Sequence, residues 1–297
     1  MRASAGYMKT QHEESADAGI KYSPAKDHSG IGIIDGTNVD HDFPKHIHHS
    51  YSLGLVTKGQ RIIQTDNETE VLSANQCFII NPLQPHSCRR MGGKNHDYSV
   101  ISIYLPIMQK VSREIWNKEE IPFFPKVKII DPLITDRFSS YLYNRNNHDS
   151  NRQEKLFSLL ERLICDYAVA ASPGKSVTEI HPVIQQICCY IDRNLDQIIR
   201  LDDLADQAHV SPFYLNRLFR EEIGIPPYTY LLQNRVKKSM EVLLETRSII
   251  DTSSQMGFSD QSHFSRFFKE FIGVTPGRFL NQNQGGTEEF SSVSPLF

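Results

Sequence analysis

The sequence lacks most of what marks a membrane, secreted or disulfide-built protein. No apolar run approaches the roughly eighteen residues of a membrane-spanning helix, so no span is expected. The stretch Met1 to His28 has neither the basic start nor the apolar core of a secretory signal, and carries Glu13, Glu14 and Asp17 instead. It is expected to be a disordered leader. Cysteines are few and odd in number (Cys77, Cys88, Cys165, Cys188 and Cys189), and show no framework spacing. That excludes a disulfide scaffold and points to reduced thiols in a cytoplasmic protein. The adjacent pair Cys188 and Cys189 falls in a helical pattern, where packing is the expected role. Charge of one sign is also missing: the formal net charge is −3, so nothing global points to a polyanion partner. What remains is an ordinary globular composition over 297 residues, long enough for two domains that each bury a core.

The hydrophobic period changes along the chain. Short β-rich runs come first: Ile31–Ile34, Tyr51–Thr57, Gln60–Thr65, Glu68–Leu72, Cys77–Ile80 and Tyr98–Tyr104. Turn residues separate them, and this spacing predicts a sandwich or barrel. Pro106–Trp116 and Pro132–Tyr143 read as short helices. From Gln153 to Ala171 the residues Leu156, Leu159, Leu160, Leu163, Ile164 and Tyr167 recur at three and four, one stripe of an amphipathic helix. Ser172-Pro173-Gly174-Lys175-Ser176 breaks the pattern and reads as a linker, placed at 172–177. Residues 178–281 read as helical throughout, and 282–297 as a disordered tail. The fold class expected is α+β in two domains: a β-barrel with trailing helices over 29–171, then an all-α domain.

The helical part contains a degenerate repeat. One copy runs Leu201, Leu204, Ala205, Val210, Ser211, then Leu215, Arg217, Leu218, Phe219, Gly224, Pro227. The other runs Ile249, Thr252, Ser253, Phe258, Ser259, then Phe264, Arg266, Phe267, Phe268, Gly273, Pro276. The offset is 48 up to the serine and 49 after it. Each copy reads as helix, tight turn and second helix. Ser211 is expected to cap, with Pro212 harmless at the first helical position. Ser259 is expected to cap the other copy, and Gly224 and Gly273 to supply left-handed stops. In the second helices, Leu215, Leu218, Phe219 and Ile223 form one buried stripe, and Phe264, Phe267, Phe268 and Phe271 the other. The opposite faces carry Phe213, Asn216, Arg217 and Arg220, and Ser262, Ser265, Arg266 and Lys269. Arginine pairs bidentately with guanine and asparagine with adenine, and flanking cations neutralise phosphates. The competing reading of either face is a solvated helix surface; two matching copies favour DNA. Residues 176–284 contain 11 Lys+Arg and 13 Asp+Glu, a balance of −2, so binding has to rest on local placement of charge. Between the copies, Tyr228 to Leu244 reads as one continuous helix.

The stretches "VSPFYLNRLFREEIGIPPYTYLLQNRVKKSMEVLLET" and "GFSDQSHFSRFFKEFIGVTPGRF" resemble the DNA-binding domain of the AraC/XylS family of bacterial transcription regulators, over about Leu201 to Leu280. The resemblance implies a double helix-turn-helix entering two successive major-groove segments, about 34 Å apart. It implies base contacts from Phe213, Asn216 and Arg217, with Arg220 nearer the backbone, and from Gln261, Ser262, His263, Ser265 and Arg266, with Lys269 beside them. One departure stands out: Thr252-Ser253-Ser254 occupies a place that the family fills with an apolar residue and an alanine. That run is poor in helix propensity, so the second unit is expected to be the less rigid.

The front region resembles the cupin-type effector domain of such regulators, through "FPKHIHHSYSLGLVTKG" and "CFIINPLQPHSCR". Three readings of its histidines stay open. One is an effector site at a barrel mouth formed by His46, His48, Tyr51 and His86. Another is a metal site, or a metal-dependent cupin enzyme, using His46, His48 and His86, although the glutamate of metal cupins is missing. The third is a set of solvent-facing strand ends. His49, next to His48, is expected to face the other way. At Ser73–Gln76, Asn75 is expected to tolerate a left-handed turn. The resemblance favours the effector reading. It implies a ligand-responsive, non-enzymatic activator without a cofactor, whose partners are an operator in double-stranded DNA, a small-molecule effector and RNA polymerase. The helix bearing Leu156, Leu159, Leu160 and Leu163 either pairs two subunits as a homodimer or packs on its own barrel.

Overall fold

The computed structural model describes residues 18–24, 30–143, 151–170 and 180–283. The expected linker at 172–177, most of the expected leader and nearly all of the expected tail lie outside them. The first strand is β1 (Gly19–Pro24), inside the segment read from sequence as a leader. Its alternation is short but real: Ile20 is buried while its neighbour Lys21 is exposed. It pairs with β2 (Ile31–Val39), with Ile20 opposite Gly36.

Next come β3 (Phe43–His46), β4 (Tyr51–Lys58), β5 (Gln60–Thr65), β6 (Thr69–Ser73), β7 (Gln76–Ile80), β8 (His86–Arg90) and β9 (His96–Ile103). The short strands β10 (Pro122–Phe123), β11 (Lys128–Ile129) and β12 (Val169–Ala170) are interleaved with helices α1 (Leu105–Trp116), α2 (Pro132–Tyr143) and α3 (Arg152–Tyr167). The strands build a six-stranded sheet ordered β1-β2-β9-β4-β7-β11 and a four-stranded sheet ordered β3-β8-β5-β6. Asn75, at φ +65, makes the left-handed turn between β6 and β7.

The large sheet is covered on both faces, so its strands read as nearly continuous apolar runs. In β4, Tyr51, Leu53 and Leu55 point outward onto a core shared with the helices, including Met108, Phe138, Leu159 and Leu163. Alternate residues point inward: Ser52 lines the interior, and Val56 joins a core with Phe78, Ile80 and Val100. Strand period two enforces that division. The α3 stripe is therefore spent on its own barrel.

The second domain is all-α: α4 (Pro182–Arg193), α5 (Leu201–Gln207), α6 (Pro212–Ile223), α7 (Pro227–Thr246), α8 (Ile249–Gln255), α9 (Gln261–Ile272) and α10 (Pro276–Gln282). The α5–α6 and α8–α9 pairs are the two repeat copies, and α7 is the continuous helix between them. The Thr-Ser run does not break α8. Thr252 and Ser253 are buried in it, and the Thr252 hydroxyl donates to Ser248 O at 2.7 Å, so its polarity is satisfied locally. No described helix is long and apolar enough to cross a membrane.

The two domains share cores. Leu232, Val236, Met240, Phe264 and Phe268 of the helical domain lie in one apolar cluster with Ile20, Phe43, Phe78 and Tyr98 of the barrel. Ile47, just past β3, is fully buried among α4, α6 and α7 residues.

Candidate nucleic-acid interface and effector cavity

Each recognition helix is fixed at both ends by its own sequence. In α6, Ser211 Oγ accepts from Tyr214 N at 3.2 Å, Pro212 follows, and Gly224 stops the helix at φ +80. In α9 the cap is Asp260 rather than Ser259: its Oδ1 accepts from His263 N at 2.8 Å, and Ser259 Oγ bonds the same carboxylate. The inserted residue falls before the cap, so Asp260 occupies the place of Ser211. The N–H of His263, with Ser259 Oγ, holds the Asp260 carboxyl below its ordinary value. Gly273 closes α9 at φ +91.

The expected faces are presented to solvent. On α6, Phe213 is 81% exposed, a cost that folding alone does not explain, and Arg217 and Arg220 are exposed beside a half-buried Asn216. Arg217 is held only loosely, 3.8 Å from Glu221 in an exposed pair that contributes little. On α9, Gln261, Ser262, Arg266 and Lys269 are exposed and Ser265 is half-buried. His263 differs. Its ring packs edge-on against Phe258 and Phe267, with centroids 5.7 and 4.9 Å away, and burial lowers its pKa. It wedges the turn more than it faces outward.

The histidines of the front domain do converge. The ring centroids of His46 and His86 are 4.3 Å apart, and those of His48 and His86 are 5.1 Å apart. His46 Nδ1 donates to Pro44 O at 2.7 Å, and His86 Nδ1 to Gln84 O at 2.9 Å, which leaves each Nε2 as an acceptor. Burial pushes all three below the ordinary imidazole value, His86 to about 4. They line a cavity of about 110 Å³ between the two sheets. Tyr51 does not join them. One strand step from Ser52, it faces the opposite core and donates to Pro122 O at 2.6 Å. His49 also turns away and packs near Tyr230.

The cavity is not closed by the barrel alone. Gln233, Lys237 and Met240 of α7 and Phe271 and Ile272 at the end of α9 form its far wall. Sequence reasoning missed these residues, although Gln233, Lys237 and Met240 follow the four–three spacing of one helix face. It also missed Arg61, whose signal was present: in β5 the inward positions are Arg61, Ile63 and Thr65, and an arginine on an inward register is unusual. The potential ligand atoms of His46, His48 and His86 lie within 4.8 Å of one another. Among the described residues no carboxylate lines the cavity with them, and the charges of Lys237 and Arg61 act on the same rings. Those cations oppose a metal ion.

Both recognition helices end against the barrel. A Cβ on Gly224 would lie 2.2 Å from Pro85 Cγ, and one on Gly273 would lie 3.0 Å from Phe43 Cζ. Polar contacts support the same seam. Ile47 N donates to Gln233 Oε1 at 3.3 Å, the His41 ring donates to Glu270 O at 2.9 Å, and Ile20 N donates to Gln282 Oε1 at 3.1 Å.

Comparison with known proteins agrees with this architecture. The family described as AraC-like ligand binding domain matches residues 29–171, and that described as a helix-turn-helix domain matches residues 204–282. A Bacillus subtilis HTH-type transcriptional regulator, YbfI, is 29% identical over 74% of this chain and 81% of its own. The arabinose operon regulatory protein of Escherichia coli is 25% identical over 80% of this chain and 82% of its own. Among solved structures, apo ToxT from Vibrio cholerae aligns with a TM-score of 0.59 at 13% identity, over 85% of this chain and 96% of that one, a likeness of fold.

Proposed function

We propose that this chain, which belongs to the AraC family of helix-turn-helix transcription regulators, is a cytoplasmic, ligand-responsive activator that reads two successive major-groove segments. It binds DNA and carries a ligand-binding domain. The base contacts come from Phe213, Asn216 and Arg217 on α6 and from Gln261, Ser262, Ser265 and Arg266 on α9. Arg220 and Lys269 contact phosphates, and His263 supports the turn.

The observation that carries this reading is the shared cavity. Its walls come from the barrel and from α7 and α9, so an occupant touches both domains at once. A ligand shifts an equilibrium only through differential affinity for the two states. An occupant that bridges the seam has that differential affinity, because separating the domains removes part of its binding site. Effector binding thereby biases the spacing of α6 and α9 and the engagement of both half-sites. The protein acts through binding rather than catalysis. Activation adds a contact with RNA polymerase, and pairing of two chains supplies a second set of half-sites.

The test is a genome-fragment binding selection with the purified full-length protein at stated salt, with and without a panel of small metabolites. The expected result is a motif of two segments one helical turn apart whose recovery depends on one member of the panel. Enrichment of unrelated sequences, or of a single short segment regardless of ligand, overturns the reading.

A further inference from the structure

The cavity has a donor surplus. Arg61 is only 6% exposed, and its Nε and Nη1 are buried without a hydrogen-bond partner. Its guanidinium carbon sits 4.0 Å from the Tyr98 ring centroid and 5.5 and 5.8 Å from those of Phe43 and Phe78. The aromatic faces hold the plane of the group and Cys88 and Tyr98 interact with it, which leaves the Nε and Nη1 donors to be satisfied. Across the cavity, Lys237 Nζ reaches only Ile47 O, at 3.5 Å. Gln233 spends its oxygen on Ile47 N and leaves Nε2 buried and unpaired. Among the described residues neither cation carries an ion pair, and no Asp or Glu lines the cavity.

A buried cation without an anion is unfavourable, and removing one partner of a buried pair is costly for the same reason. Three donor groups around one space, with no carboxylate to meet them, are complementary to an acceptor-only group. The remainder of the lining is apolar: Ile20, Ile34, Phe78, Ile80, Val100 and Met240. At about 110 Å³ the cavity admits a small molecule rather than a single water.

From this geometry we infer that the effector is a small organic monocarboxylate, its carboxylate held between Arg61 of the barrel and Lys237 of the linker helix, its apolar body against Phe78 and Met240. The inference rests on the ligand-responsive reading above and narrows it to one chemical class. It also gives the occupant a mechanical role, since its charge ties β5 to α7 across the seam. His46 and His86 stay neutral and offer Nε2 to any hydroxyl the ligand carries.

The titration of Lys237 points the same way. Burial lowers its pKa to about 7, with Asp192 on α4 the acid that opposes the shift. The other titratable groups that feel it are His46, His48, His49 and His86. An arriving carboxylate restores the ammonium form, so binding takes up a proton above pH 7 and weakens as pH rises.

The experiment is calorimetry on the full-length protein with octanoate and benzoate, against octan-1-ol and benzamide as neutral counterparts and against zinc and glucose as chemically unlike ligands. It is repeated on Lys237→Met and Arg61→Met and in two buffers of different ionisation heat. The expected result is carboxylate binding at least tenfold tighter than that of the neutral counterpart. Either substitution should weaken it at least tenfold, and Lys237→Met should abolish proton uptake at pH 8. Thermal melting shows whether each variant is folded, and the proton count in the unaltered protein stands even if Arg61→Met is not. Equal affinity for neutral compounds, or unchanged affinity in folded variants, overturns the inference. Binding of zinc or glucose without any carboxylate binding overturns it too, but leaves a ligand-responsive regulator. Silence to every compound together with ligand-independent operator binding overturns both.

Discussion

At the scale of single residues, the reading faces separate two kinds of basic group. Arg217 lies mid-helix on α6, next to Asn216 and one turn from Phe213, where a bidentate contact with a base edge is available. Arg217→Ala is expected to cost about 1–3 kcal/mol of operator affinity and to relax preference at one base position. Arg220, a turn nearer the C-terminus, is expected to act on the backbone, so Arg220→Ala weakens all sequences alike and flattens the salt dependence. Fluorescence anisotropy on operator and scrambled duplexes at several salt concentrations separates the two. Identical losses on both duplexes for Arg217→Ala would remove it from base readout.

Buried imidazoles and Lys237 make a second residue-level prediction. Burial depresses His86 to about 4, and His49 and His96 to about 3, against 6.5 in the unfolded chain. The unfolded state therefore binds more protons as pH falls below 6.5. Their contribution is complete above that value and is lost progressively towards pH 4 and below. Each histidine adds a slope of up to about 1.4 kcal/mol per pH unit. Lys237, at about 7, adds the same sign higher up: between pH 7 and 10 it is neutral when folded and charged when unfolded. Urea denaturation of the ligand-free protein is expected to show stability rising from pH 5 to 9, with the upper part missing in Lys237→Met. A maximum near pH 6 would contradict this.

At the scale of elements, the glycine stops do two jobs. Gly224 needs its left-handed φ, which costs an alanine about 1–2 kcal/mol. It also needs room, because Pro85 stands where a Cβ would go. Gly224→Ala is expected to destabilise the whole chain by more than the backbone strain, and Pro85→Gly in the same chain to return the excess. If chemical denaturation finds no such rescue, the cap does not bear on the barrel.

The elements were legible to different degrees. The second helices of the repeat, with their caps, glycine stops and buried aromatics, could be read because helical spacing and terminal residues are local signals. Ser259 misled because a one-residue insertion moved the cap to Asp260. The strands β1, β3 and β8 escaped because short, polar or proline-bearing runs carry little alternation. Tyr51 was misplaced for want of one register step, since sequence gives the period of a strand but not which face meets the helices. The far wall of the cavity, from Gln233 to Ile272, belongs to another domain, and no local signal links it to Arg61.

At the scale of the whole molecule, the shared cores qualify the independence of the reader. Deleting residues 1–175 is expected to make DNA binding indifferent to ligand, as measured by anisotropy with and without the effector. It also uncovers Met240, Phe271 and Ile272, so the fragment is expected to melt lower than the full chain. A fragment that folds but cannot bind DNA would mean that the barrel completes the reader.

The two barrel contacts at the helix ends, Pro85 against Gly224 and Phe43 against Gly273, carry a consequence for inheritance. On the proposed reading, the sensing domain is half of the ruler with which the protein measures DNA. A chimera that joins this reader to a related barrel inherits that barrel's spacing, and with it a different tolerance for the gap between half-sites. Promoter and sensor are therefore expected to diverge together, even where every base-contacting side chain stays the same.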